Sequence, residues 1–168
     1  MDFSDLLQSV NSIEEKYPPV HLWNPDLCEG VEMKIDREGN WFYQGSIIGR
    51  DKLKILFSRI LKFENGNYYL VTPVEKVPVK VDLAPYMIVD YEVDSEHQKI
   101  ILKTNLDLSI PLDKDHKLEL KTIGDERIPF VHVRSNIEGF ISRSVYYSLI
   151  EIALKQGNNS MDQLTLKS

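Results

Sequence analysis

The sequence predicts an α+β fold with two related strand-rich lobes, each ending in a helix. Two stretches carry this prediction: GSIIGRDKLKILFSRIL at residues 45–61 and GFISRSVYYSLIEIAL at residues 139–154. In each stretch an apolar pair precedes a small residue, an arginine and then apolar residues at helical spacing. A strand pattern lies upstream of both, EMKI before the first and LELKT before the second. When Arg50 is superimposed on Arg143 the helical apolar positions coincide, which indicates an internal duplication.

The order of these patterns predicts four segments. Residues 1–20 form an N-terminal helix and linker, because apolar residues there have helical spacing before a Pro-Pro pair stops the helix. Residues 21–83 form the first α+β lobe. Residues 84–156 form the second, β-rich lobe with a C-terminal helix. Residues 157–168 are predicted to be a disordered tail, because they open with a polar Gly-Asn-Asn-Ser run.

Within the lobes, the secondary-structure predictions follow from local patterns. In the first lobe, two strands are expected over residues 31–35 and 40–44 around a turn. The helices are expected over residues 50–61 and 143–156, with the turn Asn65-Gly66 closing the first. Between residues 68 and 134, short β-rich runs are separated by prolines and polar turns, which excludes a long helix there.

Composition excludes several classes of protein. The chain has 168 residues, 42% hydrophobic and 27% charged, as in ordinary globular domains. The formal net charge of −6 argues against a binder of nucleic-acid polymers or of membrane surfaces, which needs a basic face. A single cysteine cannot form an internal disulfide, and the N-terminus lacks the pattern of a secretion signal, so a cytoplasmic location is expected. Nothing in the sequence decides the oligomeric state.

No metal site or cofactor is predicted. The four histidines do not lie three to five residues apart, and one cysteine cannot complete a thiolate cluster. The chain also lacks a phosphate-binding loop, a dinucleotide fingerprint and a nucleophile elbow.

The two helix-start arginines are the first candidates for a binding site. Gly49 and Ser142 are suitable N-cap residues, which would place Arg50 and Arg143 at the first helical position. A cation there opposes the helix dipole at a cost of roughly 0.3–1 kcal/mol. Two explanations stay open: a neighbouring carboxylate such as Asp51 or Glu138 offsets the charge, or a bound anion does.

Further candidates lie on strands and on one loop. Phe130, His132 and Arg134 share one strand face, where they could hold an anionic ring-bearing ligand or could cover the final helix. Trp41 and Tyr43 form a similar aromatic face that is equally typical of core packing. The loop from Thr72 to Lys76 carries a hydroxyl, a carboxylate and an ammonium, or is an ordinary strand connection.

The chain resembles the bacterial family of domain of unknown function 1285. The resemblance is carried by GNWFYQGSIIGRDKLKILFSRIL, YYLVTPVEKVPVKV and DLAPYMIVDY, with HLWNPDLCEG upstream and FVHVRSNIEGFISRSVYY downstream. It implies a two-part α+β protein with a duplicated core and a C-terminal part superficially like a pleckstrin-homology fold. It also implies a ligand site between the halves for a nucleotide-like molecule, and a role in signalling. It implies no activity.

Together these observations favour a non-catalytic sensor or binding module that holds a small anionic, nucleotide-like ligand between its two lobes. The candidate ligand-binding residues are Trp41, Tyr43, Arg50, Thr72, Glu75, Lys76, His132, Arg134 and Arg143. Two alternatives remain. The first is a protein-interaction module that accepts a peptide at a strand edge, with the acidic run at residues 90–96 attracting a basic partner. The second is a hydrolase that uses Glu75 and an acidic partner.

Overall fold

The chain divides into two compact units, Met1–Pro85 and Tyr86–Ser168. The computed structural model describes residues 3–14 and 16–156, so the tail predicted over residues 157–168 lies outside the described residues. Within this part of the chain, no helix is both long and apolar enough to span a membrane.

The N-terminal unit contains two helices and six strands in its described part. The helices are α1 (Phe3–Asn11) and α2 (Asp51–Ser58), and a short 3-10 turn spans Val20–Leu22. The strands are β1 (Met33–Ile35), β2 (Trp41–Tyr43), β3 (Ser46–Ile47), β4 (Leu61–Glu64), β5 (Asn67–Val71) and β6 (Lys76–Val81).

These six strands form one sheet in the order β3-β2-β1-β6-β5-β4. All pairings are antiparallel except the central one, where β1 and β6 run parallel with Ile35 opposite Val81. Two antiparallel three-stranded meanders are therefore joined at the centre of the sheet, and α2 connects them along the chain.

The C-terminal unit contains six strands followed by one helix in its described part. They are β7 (Tyr86–Asp94), β8 (Lys99–Thr104), β9 (Ser109–Pro111), β10 (Leu118–Ile123), β11 (Glu126–Arg134), β12 (Ile137–Ile141) and α3 (Arg143–Lys155). The sheet order is β10-β11-β12-β7-β8-β9, and the central pair β12 and β7 is again parallel. Unlike α2, α3 follows the complete sheet.

The two sheets have one topology. Read from the opposite edge, the second is β9-β8-β7-β12-β11-β10, which repeats the first strand for strand. Even a single hydrogen bond recurs: the Asp82 N–H donates to Ile35 O and the Ser142 N–H to Ile88 O, both at 3.0 Å. The predicted α+β class with two related strand-rich lobes is confirmed, whereas the likeness to a pleckstrin-homology fold is not.

The superposition of the two helices was wrong in detail. α2 lies between the two meanders of its sheet, whereas α3 begins where the second meander of the other sheet ends. The repeat therefore belongs to the strands, and the first unit ends in β6 rather than in a helix. Any two amphipathic helices can be superimposed on their apolar residues, which explains the false match.

Two further predictions about α2 need correction. The helix begins at Asp51, so Arg50 is the N-cap residue in place of Gly49, and it ends at Ser58 rather than at residue 61. Leu61 already pairs with Leu70 in the sheet. Asn65 and Gly66, with φ of 52° and 82°, form the two-residue turn of the β4–β5 hairpin, as expected for an Asn-Gly sequence.

Each unit has its own apolar core. In the N-terminal unit, Trp41 and Phe57 are both 0% exposed and stack at 6.4 Å between ring centroids. In the C-terminal unit, the buried residues include Tyr86 of β7, Val131 of β11 and Leu149 of α3.

Candidate functional site

A cavity of about 790 Å³ opens in the N-terminal unit at the beginning of α2. Its volume lies within the range of roughly 300–1,000 Å³ that is usual for small-molecule sites. It is lined by α1, by the segment from β2 to β3, and by the first two turns of α2. The lining residues are Leu7, Asn11, Tyr43, Ser46, Ile47, Ile48, Gly49, Arg50, Lys52, Leu53 and Leu56.

Two amphipathic helices supply most of its aliphatic wall. α1 buries Leu6 and Val10 and presents half-buried Leu7 to the cavity. α2 buries Phe57 and presents half-buried Leu53 and Leu56. The apolar residues at helical spacing in α1 and α2 therefore fall into two groups. Some are buried in the core and others line the cavity.

Arg50 stands at the cavity as an exposed cation without a carboxylate partner among the described residues. Its backbone is extended, with φ −90° and ψ 117°, and its side chain makes no capping hydrogen bond. Asp51, the local carboxylate expected to pair with it, instead contacts the Lys54 ammonium at 3.1 Å. The prediction that Asp51 offsets the charge of Arg50 is therefore wrong.

Tyr43 reaches the same cavity from the end of β2. It pairs with Ser46 across a turn in which Gln44 and Gly45 have φ of 49° and 81°. The Gln44 side chain donates to Gly30 O at 2.9 Å, which anchors this turn. Tyr43 and Arg50 are the two predicted ligand-binding residues that the structure brings together at the cavity.

Trp41 lies in the core rather than at the cavity. Its ring is 0% exposed, and its Nε1–H has no hydrogen-bond partner among the described residues. A buried ring offers no face to a ligand. Of the two aromatic candidates on β2, Trp41 and Tyr43, Tyr43 is therefore the one that can contact a ligand in the cavity.

Thr72 and Lys76 hold the loop between β5 and β6 in place. Thr72 is 0% exposed, and its Oγ1 accepts hydrogen bonds from the N–H groups of Val74 and Glu75. Lys76 binds the Glu64 carboxylate at 3.1 Å and lies 4.4 Å from the centre of the Tyr69 ring. Both side chains are therefore engaged in contacts within the N-terminal unit. This is what the alternative of an ordinary strand connection predicts.

Glu75 lines a second cavity, of about 420 Å³, together with polar residues of α1 and of the turn that follows it. These are Asp5, Gln8, Ser9 and Ser12. Burial raises the pKa of the Glu75 carboxyl, although a hydrogen bond from Ser9 acts against this, and the nearby charge of Asp5 raises it further. Its Oε2 is buried without a partner among the described residues. Burial therefore favours the protonated form of the Glu75 carboxyl.

The three remaining candidates belong to the C-terminal unit. The Arg134 Nε–H donates to the Tyr86 hydroxyl at 3.0 Å, and His132 Nε2 contacts the Ser135 carbonyl while its ring lies 5.6 Å from that of His116. Arg143 is exposed at the first position of α3, after the predicted N-cap Ser142, whose Oγ accepts from the Val145 N–H.

The carboxylate expected beside Arg143 is also engaged elsewhere. Glu138 binds the Lys121 ammonium at 2.6 Å. Neither helix-start arginine is therefore paired with its predicted local acid, and Arg50 lines the cavity at the start of α2.

Sequence reasoning missed Lys52 and the aliphatic lining residues. Lys52 lies two residues after Arg50 and gave a signal as a second cation at the same helix start. The aliphatic residues gave none, because apolar residues at helical spacing indicate a buried face without showing what covers it.

A cluster of possible metal ligands lies outside these cavities. Among the described residues, Asp94 at the end of β7 lies close to Glu96 and His97 in the exposed turn that follows. Exposed acidic groups commonly cluster without an ion, so the cluster does not define a site.

The chain is a two-unit α+β protein with a cavity of small-molecule size in its N-terminal unit. The chain belongs to the DUF1285 family: the N-terminal domain of this family matches residues 18–84 and the C-terminal domain matches residues 85–168. No curated protein matches the chain.

Two solved structures of the same family resemble it. A DUF1285 family protein from Silicibacter pomeroyi DSS-3 is 40% identical, with a TM-score of 0.75 over 87% of this chain and 82% of that chain. A second, from Shewanella baltica OS155, is 28% identical, with a TM-score of 0.59 over 74% of this chain and 94% of that chain.

Proposed function

We propose that this protein is a non-catalytic binding module for a small anionic ligand, with a role in signalling. The ligand occupies the cavity at the start of α2. One observation carries the proposal: Tyr43 and Arg50 line the same cavity, and Arg50 has no carboxylate partner among the described residues. A nucleotide-like ligand is the form of this proposal that the family resemblance suggested.

The charge of the lining supports an anion. The whole chain has a formal net charge of −6, yet the described residues that line the cavity include Arg50 and Lys52 and no carboxylate. Two cations against an otherwise acidic protein attract an anion selectively. Arg50 can also bind a carboxylate or phosphate through two parallel hydrogen bonds.

The same lining supports binding rather than catalysis. Its members include no histidine, cysteine, aspartate or glutamate. General acid–base or nucleophilic chemistry at this cavity would have to rely on Tyr43, Ser46 or Lys52, without a histidine or carboxylate in the lining to activate them.

The test is a ligand screen with two matched variants. Thermal shifts would be measured with nucleotides, cyclic nucleotides, phosphorylated metabolites and carboxylic acids, on the wild type, Arg50→Ala and Arg143→Ala. A ligand at 100 times its Kd stabilises the protein by about 2.7 kcal/mol. We expect an anion to raise Tm in the wild type and in Arg143→Ala, and to lose this effect in Arg50→Ala.

Each outcome has one meaning. Equal loss in both variants would extend the site to Arg143 and contradict its assignment to the α2 cavity. An anion shift that survives in Arg50→Ala would place the ligand elsewhere. No shift with any compound would reject the proposal and favour the protein-interaction alternative.

Glu75 supports a second candidate function, that of a carboxylate-dependent hydrolase. The observation in its favour is that two carboxyl groups, Asp5 and Glu75, face the same cavity, and burial raises the pKa of Glu75. Pairs of carboxyls held in different environments can divide the roles of acid and base. Turnover of a phosphoester or glycoside that vanishes in Glu75→Gln and persists in Arg50→Ala would establish this function. A wild type inactive on both substrate types would remove it.

A further inference from the structure

The lining of the α2 cavity separates into an aliphatic part and a cationic part. Five aliphatic side chains, Leu7, Ile47, Ile48, Leu53 and Leu56, form the first part. Arg50 and Lys52, both exposed at the start of α2, form the second. A ligand that satisfies both parts must itself be divided into an apolar body and an anionic end.

Few uncharged polar groups are available between these parts. The uncharged polar side chains that line the cavity are Asn11, Ser46 and the Tyr43 hydroxyl. A nucleobase and ribose present several donors and acceptors, and each one buried without a partner costs about 1–3 kcal/mol. An aliphatic chain has no hydrogen-bond donors or acceptors, so no polar group is left unpaired when it lies against the aliphatic side chains of the cavity.

Ile47 indicates that the apolar surface is available to a ligand. Its side chain, on the two-residue edge strand β3, is 61% exposed, and it lines the same cavity as the half-buried Leu53 and Leu56. Covering these side chains would remove apolar area from water, at roughly 25 cal/mol per Å².

We infer that the ligand is an aliphatic amphiphile with one anionic group, of the medium-chain carboxylic acid type. Its carboxylate contacts Arg50 and Lys52, and its chain lies along the wall formed by Ile47, Leu53 and Leu56. This inference rests on the proposed function, since it names the ligand class for the same cavity. It replaces the nucleotide-like ligand that the family resemblance suggested.

The binding of a carboxylate series tests the inference. Calorimetric Kd values would be measured on the full chain for octanoate, decanoate and dodecanoate, below the concentrations at which they form micelles. Each added methylene that is buried should lower Kd about fourfold, until the chain fills the cavity. Decanol and AMP complete the set, one with the chain and no charge, the other with the charge and no chain.

Two variants and two matched controls separate the parts of the site. Arg50→Gln should raise the Kd of decanoate about tenfold or more, because it removes a charge-assisted hydrogen bond. Ile47→Ser should raise it several-fold, and because Ile47 is largely exposed this change should leave the fold intact. Arg143→Gln and Val93→Ser, at exposed positions of the C-terminal unit, should leave it unchanged.

The outcomes distinguish this inference from the proposed function. Binding of AMP that depends on Arg50, without binding of decanoate, would overturn the inference and leave the anion-binding function standing. Equal binding of decanol and decanoate, unaffected by Arg50→Gln, would overturn both. A Kd that does not change from octanoate to dodecanoate would overturn the aliphatic part alone. Binding of none of these probes would overturn the inference, and the wider anion screen would then decide the proposed function.

Discussion

Arg50 occupies a position where another residue would stabilise the helix better. Arginine has no side-chain oxygen to accept from the N–H groups of the first turn, and its charge opposes the helix dipole. The extended backbone at Arg50 already suits a capping serine. Residues that cost stability locally are commonly found at functional sites.

We therefore predict that Arg50→Ser stabilises the protein while it abolishes anion binding. The free energy of unfolding should rise by about 1 kcal/mol, because serine caps the helix and the opposing charge is removed. Denaturant titration measures this change. Ser142→Ala, at the cap of α3, is the opposite control and should lose about 1 kcal/mol. A lower stability of Arg50→Ser would mean that the arginine makes a stabilising contact.

Glu75 should make stability depend on pH. Its folded pKa is raised above the ordinary value of 4.5, chiefly by burial, so the folded state binds the proton more tightly than the unfolded state does. Stability is therefore greatest below pH 4.5 with respect to this group, and is lost as pH rises through the folded pKa. Glu75→Gln cannot ionise, and its amide oxygen can still accept from Ser9.

We expect Glu75→Gln to have a higher Tm than the wild type at pH 8 and a similar Tm at pH 4. Thermal unfolding at several pH values measures the difference, and Glu151→Gln on the exposed face of α3 serves as the control. If the difference between Glu75→Gln and the wild type were constant across this range, desolvation of the carboxyl would be disproved.

The candidate site could be predicted only in part at the level of single residues. Tyr43 and Arg50 were found because an aromatic strand residue and a helix-start cation are chemically distinctive. Thr72 and Trp41 were chosen by the same reasoning, and both prove to be 0% exposed. The sequence shows which groups a residue carries, whereas the pleat of the strand and the turn that follows decide which way they face.

At the scale of elements, the central parallel pair of the C-terminal unit depends on a glycine. Gly139 in β12 lies opposite Tyr86 in β7. A Cβ at this position would lie 2.9 Å from the Tyr86 Cβ and 3.1 Å from Val133 Cγ2, both too close for carbon atoms. The close approach of the two strands therefore requires the absence of a side chain.

Gly139→Ala should lower the free energy of unfolding of this unit by about 1–3 kcal/mol, as overpacking of a core does. Gly49→Ala is the control for stability, because a Cβ there would meet no atom within 4 Å. Denaturant unfolding followed by circular dichroism compares the two variants. Similar effects of the two substitutions would show that the strands can separate at little cost.

Strands and helices were predicted with uneven success, for physical reasons. The β-rich runs predicted between residues 68 and 134 became β5 to β11, and the start of α3 was correct because Ser142 is a strong N-cap. β3, β4 and β12 were missed, since short strands lack the alternation that identifies longer ones. β4 was also hidden within the apolar pattern that continues from α2 through Leu61.

At the scale of the whole molecule, the proposed site concerns one unit only. The lining residues of the α2 cavity all belong to Met1–Pro85. A ligand that binds only the folded N-terminal unit stabilises that unit by mass action, and its amide hydrogens should report this.

We predict that decanoate at 100 times its Kd slows amide exchange in the N-terminal unit by up to about 100-fold. The slowing should be strongest over residues 47–58, around the start of α2, and should not reach α3 at residues 143–155. Hydrogen exchange with mass spectrometry on the full chain measures both segments. Slowing of equal size in the two segments would contradict a ligand site confined to the first unit.

The repeated architecture was predictable from the sequence, but the order of strands was not. Local patterns show that strands exist, whereas pairing depends on contacts between residues far apart in the chain. Each parallel pair, β1–β6 and β7–β12, joins the strand that comes first along the chain in its sheet to the strand that comes last. No local sequence pattern marks these pairs. The superposition of the two helices likewise compared local patterns only, and these could not show that α2 and α3 occupy different places in the order of strands.

The link between β9 and β10 has a mechanical consequence for the C-terminal sheet. These strands are its two edges, and a flat sheet of this order would hold them about 24 Å apart. Residues 112–117 form the link between these strands. Within the link, the Asp113 carboxylate accepts hydrogen bonds from the N–H groups of Asp115 and His116 and so holds a turn. Because of this turn, the link can span only about 21 Å. The link is therefore somewhat shorter than the width of a flat sheet, so the C-terminal sheet must curve or twist until β9 and β10 lie within its reach.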